Sequence, residues 1–145
     1  MQIRDTMTTD VHIANPSQSI REAAKMMAEI DAGALPVGEN DRLVGMITDR
    51  DIAVRAVARG KGPDTPVRDV MSPEICYCFD DQELDEVAAN MADIKVRRLP
   101  VVNRNKRLVG IVSLCDMAMA DDQGKVTTAA FCSISEPGGE HSQAT

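Results

Sequence analysis

Ile3-Arg4-Asp5-Thr6-Met7 returns as Val67-Arg68-Asp69-Val70-Met71, and Leu35-Pro36-Val37 returns as Leu99-Pro100-Val101, each 64 residues later. Leu43-Val44-Gly45-Met46-Ile47-Thr48 returns as Leu108-Val109-Gly110-Ile111-Val112-Ser113, with Gly45 and Gly110 65 residues apart, so one residue is inserted between the last two matches. A repeat kept in register over a whole unit restricts the fold more than any local motif, because each copy is one supersecondary unit whose apolar face needs a neighbour. Two copies predict a pseudo-two-fold arrangement with a cleft between them.

Inside the first copy, Ile20, Ala23, Ala24, Met27 and Ile30 fall on one helical face, and Ser19 with Glu22 forms a capping box ahead of it. The same offset leads to Leu84, Val87, Ala88, Met91 and Ile94, a second amphipathic helix. Strands are expected at 11–14 and 75–78 before these helices, and at 34–37, 98–103, 43–48 and 107–113 after them. A further helix follows at 49–59 and at 114–120. Each copy thus reads strand, helix, strand, strand, helix, an α/β (α+β) chain of two βαββα repeats. Arg59-Gly60-Lys61-Gly62-Pro63-Asp64-Thr65-Pro66 joins them as a loop, so the repeats are set at 1–62 and 63–122. The remainder, 123–145, is expected to be a partly disordered extension with a short helix or strand at 126–134.

A chain of 145 residues suits about one domain, whereas one half would be marginal alone. Its N-terminus carries no apolar signal region and no apolar run long enough to cross a bilayer, so a soluble cytoplasmic protein is expected. The four cysteines lack the spacing of a disulfide framework, and Cys76-x-Cys78 has no second pair to make a zinc site; no metal is expected. A net charge of −7 argues against a nucleic-acid binder. Between Lys95 and Arg107, however, Lys95, Arg97, Arg98, Arg104, Lys106 and Arg107 stand without an acidic residue among them. That stretch reads either as a charged strand edge or as a local anion site. Tyr77, Phe79 and Phe131 are too few for a stacking platform of the single-strand type.

The strongest chemical signal is a repeated strand-to-helix junction. Gly45-Met46-Ile47-Thr48-Asp49-Arg50-Asp51 and Gly110-Ile111-Val112-Ser113-Leu114-Cys115-Asp116 both give glycine, two apolar residues, a hydroxyl, two variable residues and an aspartate. A hydroxyl with a carboxylate three residues on caps a helix. The same pair can serve a ligand, the hydroxyl bonding a phosphate or ribose oxygen and the carboxylate accepting both hydroxyls of a cis-diol. His12 and His141 lack a paired base, nucleophile or metal partner, so no catalytic residue is assigned and no enzyme is expected. Cys115, beside Asp116, is read as an unreactive thiol, with redox sensitivity of its junction as the alternative.

Over about residues 1–120, these motifs resemble a tandem of cystathionine-β-synthase-type (CBS) domains, the Bateman module. The resemblance rests on Val67-Arg68-Asp69-Val70-Met71, Arg97-Arg98-Leu99-Pro100-Val101-Val102 and the two junctions, in order and duplicated. It implies βαββα units packed sheet to sheet, usually a disc-like homodimer of pairs, and clefts that bind AMP, ADP, ATP, S-adenosylmethionine or NAD(H). The length resembles that of stand-alone members. The family's ribose-binding aspartate falls on Asp51 and Asp116, and its hydroxyl partner on Thr48 and Ser113. The approach to the middle strand falls on Ala34-Leu35-Pro36 and on Arg98-Leu99-Pro100, so Pro100 joins the expected site. The copies differ: Arg97 and Arg98 stand where the first has Gly33 and Ala34, and Arg50 stands only in the first. The resulting expectation is a regulatory module that needs no cofactor, binds an adenosine derivative such as AMP or ATP, and acts on an unknown protein partner. The alternative is a structural dimerisation or scaffold protein with empty clefts, and a more distant one an RNA-binding accessory protein using the basic stretch.

Overall fold

The computed structural model describes residues 1–120 and Cys132. The expected extension over 123–145, with its short element at 126–134 and His141, lies outside the described residues, the buried Cys132 excepted. In chain order the elements are a 3-10 turn (Ile3–Asp5), α1 (Ile20–Ile30), β1 (Ala34–Glu39), β2 (Arg42–Thr48), α2 (Asp49–Asp51) continued by a π-helical turn (Ile52–Ala56) and a 3-10 turn (Val57–Arg59), a second 3-10 turn (Val67–Asp69), β3 (Cys78–Phe79), α3 (Leu84–Ile94), β4 (Arg98–Val102), β5 (Leu108–Ser113) and α4 (Leu114–Ala120). This is a mixed α+β chain in which α1, β1, β2 and α2 of the first copy correspond to α3, β4, β5 and α4 of the second. No helix of the described residues is long and apolar enough to cross a membrane.

Helix α1 starts where Ser19 Oγ accepts the Glu22 N–H at 3.2 Å. Only this half of the expected capping box forms: the Glu22 carboxylate turns instead to Gln18 Nε2 at 3.2 Å and Ser19 Oγ at 3.5 Å. Ile20, Ala23 and Met27 are buried and Ile30 packs against the core as expected, but Ala24 is exposed, and Met26 packs against the core in its place. In α3, Val87 and Met91 are buried, whereas Ile94 is 44% exposed. Both helices stop on a left-handed residue, Asp31 (φ 53°) and Lys95 (φ 58°). The chain then closes back, Ala32 N–H to Met27 O at 3.0 Å and Val96 N–H to Met91 O at 3.2 Å, which satisfies a terminal carbonyl of each helix.

Strands β1 and β2 pair antiparallel, with Ala34 opposite Thr48 and Leu35 opposite Ile47. Asn40 (φ 54°) and Asp41 (φ 62°) form the two-residue turn between them, residue types that tolerate this left-handed geometry. Strands β4 and β5 pair in the same way, Arg98 opposite Ser113 and Leu99 opposite Val112. Their longer turn is organised by Asn103, whose Oδ1 accepts the N–H groups of Asn105 and Arg107, both at 3.0 Å. The strands expected ahead of the helices are shorter than their sequence pattern. Cys78 and Phe79 pair parallel with Val101 and Val102, but at 11–14 only Ala14 pairs, with Val37. The cause is Pro16. Its counterpart Asp80 donates its N–H to Val102 O at 3.0 Å, and proline has no N–H with which to carry the ladder further.

The chain forms two compact units, and they are not the two repeats laid end to end. One joins Met1–Val11 to the chain from Cys76 onward; the other holds His12–Ile75. The segment that opens each repeat therefore completes the unit built from the other. Ile3 is fully buried beside Cys78, Val87, Leu99, Val101 and Val112, while Val67 and Val70 are buried beside Ile20, Leu35, Val37 and Ile47. Equivalent backbone bonds fasten the two segments. Ile3 N–H reaches Gln82 O and Leu84 N–H reaches Met1 O; Val67 N–H reaches Gln18 O and Ile20 N–H reaches Thr65 O. In each unit the segment then borders the last strand, Thr8 pairing with Ile111 and Ser72 with Met46.

Candidate ligand site

In the first copy, Thr48 ends β2 and caps α2. Its Oγ1 accepts the Asp51 N–H at 3.0 Å, and Asp51 Oδ2 accepts the Thr48 N–H at 3.0 Å. The other oxygen, Asp51 Oδ1, faces Arg55 Nε at 3.9 Å, and Arg55 Nη1 donates to Met71 O at 3.4 Å. Arg50 is exposed, and its N–H is taken by Asp49 Oδ1 at 2.8 Å. Asp49 N–H in turn bonds Gly33 O at 2.9 Å, which ties the junction to the start of β1.

The second junction repeats the cap and changes its surroundings. Asp116 Oδ2 accepts the Ser113 N–H at 2.9 Å and Ser113 Oγ accepts the Asp116 N–H at 3.0 Å. Arg97 is exposed and its carbonyl accepts the Leu114 N–H at 2.8 Å. Arg98, half-buried, lies directly opposite Ser113, and the buried Pro100 lies opposite Ile111. Directly opposed residues and those two apart along a strand share a face, so Arg98, Pro100 and Ser113 stand on one side of the sheet. That side is opposite to the one on which Leu99, Val101 and Val112 enter the core. Arg97, Arg98, Pro100, Ser113 and Asp116 thus gather at one end of the β4–β5 ladder, as Thr48, Arg50 and Asp51 gather at the end of β2.

The basic stretch does not act as one patch. Arg104 pairs with Asp81 at 2.7 Å and lies 4.1 Å above the Phe79 ring, so this cation is already engaged. Its hydrogen bond holds the Asp81 carboxyl below its ordinary range. Lys95 supplies the left-handed cap of α3. Burial, helped by the charge of Asp80, pushes the Cys78 thiol up to about 12, whereas Cys76 is exposed. Among the described residues, no three His, Cys, Asp or Glu side chains converge as a metal site. Sequence reasoning missed Arg55 and also Thr6, whose Oγ1 donates to Asp116 O at 3.0 Å. Thr6 lies in the repeated Ile/Val-Arg-Asp-x-Met motif, but its partner sits 110 residues away, beyond the reach of local pattern.

Two copies of one α+β unit, each ending in a hydroxyl–aspartate junction, define the class, and the comparison with known families agrees. The CBS domain pattern matches residues 3–57 and 67–122, and the chain belongs to the CBS domain family. It is 43% identical over 133 residues to CBS domain-containing protein YhcV of Bacillus subtilis, covering 92% of this chain and 94% of that protein. Among solved structures, Hypoxic Response Protein I with two coordinated zinc ions is similar at 37% identity and a TM-score of 0.75, over 82% of this chain and 98% of that one. The CBS domain pair of protein MJ0100, in complex with 5′-methylthioadenosine and S-adenosyl-L-methionine, gives 29% and 0.71 over 83% and 95% of the two chains. CBSX2 in complex with AMP gives 28% and 0.73 over 84% and 96%.

Proposed function

We propose that this protein is a non-catalytic regulatory module that binds an adenosine-containing small molecule at its hydroxyl–aspartate junctions, works as a homodimer and passes the ligand's presence to a protein partner. The observation that carries the reading is the second junction. There a half-buried arginine, a hydroxyl and a carboxylate with one oxygen outside the cap meet at the end of a strand ladder. These groups match a phosphate, a ribose oxygen and a ribose cis-diol. The AMP complex of CBSX2 and the methylthioadenosine and S-adenosylmethionine complex of MJ0100 support the ligand class. For the partner to read the ligand, the ligand must bind two arrangements of the protein unequally.

Calorimetric titration with AMP, ATP, adenosine and S-adenosylmethionine tests it. At least one is expected to bind, and Asp51→Asn with Asp116→Asn to weaken it by about 1.5–3 kcal/mol for each charge-assisted hydrogen bond removed. Asparagine retains an oxygen for the cap, and thermal melting checks that it does. Unchanged affinity and stoichiometry in the double variant would leave the aspartates as helix caps and favour the scaffold reading. Light scattering in the same samples should return about twice the 15.7 kDa of one chain.

A further inference from the structure

The two junctions share a sequence pattern and a cap, yet two substitutions at equivalent positions set them apart. Arg98 stands opposite Ser113, whereas its counterpart Ala34 stands opposite Thr48. Asp51 Oδ1 faces Arg55, whereas the position equivalent to Arg55 in the second copy is Ala120. Among the described residues, Arg98 enters none of the ion pairs and Asp116 Oδ1 accepts no hydrogen bond. A half-buried guanidinium without an anion retains a desolvation cost that a phosphate would relieve. At Asp51 the situation is reversed. A cis-diol must compete with Arg55 for the carboxylate, no cation stands on the facing strand position to receive a phosphate, and Arg50, the remaining cation of this junction, is exposed to solvent rather than half-buried as Arg98 is.

Resting on the adenosine reading above, we infer that the two sites are chemically inequivalent: the Asp116 site takes the phosphate-bearing ligand, with Arg98 as the residue that selects for phosphate, and the Asp51 site takes an uncharged nucleoside, weakly, because Arg55 competes for its carboxylate. Displacing Arg55 also releases its bond to Met71 O. Occupation of the weak site thereby loosens the segment that borders β2, while the Asp116 site keeps the Thr6 contact to its own bordering segment.

The test is competition between AMP and adenosine, read by calorimetry on the full-length protein with Asp51→Asn and Asp116→Asn marking the two sites. Arg98→Ala, or Arg98→Gln if the alanine variant melts early, should weaken AMP at least tenfold and adenosine less than twofold, and the AMP site so weakened should be the one removed by Asp116→Asn. Arg55→Ala should tighten adenosine severalfold at the Asp51 site. Ala34→Arg combined with Arg55→Ala should convert that site to prefer AMP. Equal weakening of AMP and adenosine in both Arg98 variants, AMP binding abolished by Asp51→Asn instead, or weaker adenosine binding in Arg55→Ala would each overturn the inequivalence while leaving the adenosine reading in place. Failure of the wild-type protein to bind either compound would overturn both.

Discussion

Gly45 and Gly110 occupy the same place in their units and face the same obstacle. A Cβ on Gly110 would lie 2.7 Å from Met7 Sδ and 2.9 Å from Thr8 O; on Gly45, 2.8 Å from both Met71 Sδ and Ser72 O. The thioether can swing aside, but the carbonyl is held in a backbone pair, Ile111 N–H to Thr8 O at 2.9 Å and Met46 N–H to Ser72 O at 3.0 Å. Gly110→Ala and Gly45→Ala should therefore each cost roughly 1–3 kcal/mol by overpacking, seen as a lower urea midpoint; an unchanged midpoint would refute the close approach. The Asp81–Arg104 pair predicts a pH dependence. The Asp81 carboxyl is held below its ordinary 3.8, so the pair's contribution is complete above 3.8 and disappears as the pH falls through the lowered folded value. Asp81→Asn should melt below wild type at neutral pH, with the gap closing in acid; a gap that persisted there would show that the charge is not its source. Arg104 is exposed and Asp81 stays partly open to solvent, so the effect is small.

Helices α1 and α3 were legible because their apolar spacing acts within one turn of chain, helped in α1 by the Ser19 cap, and Ile20, Ala23, Met27, Val87 and Met91 are buried on the expected faces while Ile94 is not. The exposed Ala24 shows the limit of that reasoning: periodicity defines an arc, and only packing decides where the arc ends. The first strand of each copy was less legible. A strand exists only where a neighbour pairs with it, and Pro16 reduces one copy to a single bridge. The two junction caps belong to the legible part, since hydroxyl and carboxylate meet across three residues. Ser113→Ala and Thr48→Ala should each lower stability by about 0.5–2 kcal/mol in chemical denaturation. The second helix of the first copy is different again, being divided among α, π and 3-10 turns where the pattern predicts one continuous helix. Arg55 sits in its π-helical turn, and such turns are frequent at functional sites.

Across the whole chain, the exchange of opening segments makes the compact unit different from the repeat. The region 1–62 contains a complete copy of the sequence pattern but lacks Val67 and Val70, both buried in the core that its helix and strands build. The region 12–75, of nearly equal length, contains them. Produced separately, 12–75 should show a cooperative thermal transition by circular dichroism and 1–62 should not; the reverse order would contradict the exchange. In the intact chain, Ile3→Ala should cost about 2–5 kcal/mol by opening a cavity, with faster amide exchange in α3, β4 and β5 and not in α1, β1 and β2.

The repeat, the amphipathic helices, the capped junctions and the family were all present in the order of residues, because each rests on interactions between neighbours in the chain or on a pattern that occurs twice. Which unit each copy of the Ile/Val-Arg-Asp-x-Met segment completes was not, since either core offers an apolar place for Ile3 or Val67 and only the path of the chain selects between them. The same holds for Thr6 on Asp116 O, groups 110 residues apart that the segment exchange brings together, whereas Arg98 and Ser113 were both expected in the site and strand register adds only that they stand directly opposite each other. Arg55, four residues from Asp51, was near enough for sequence reasoning to have found it. What the folded structure adds is its second bond, to Met71 O, which links that aspartate to the bordering segment.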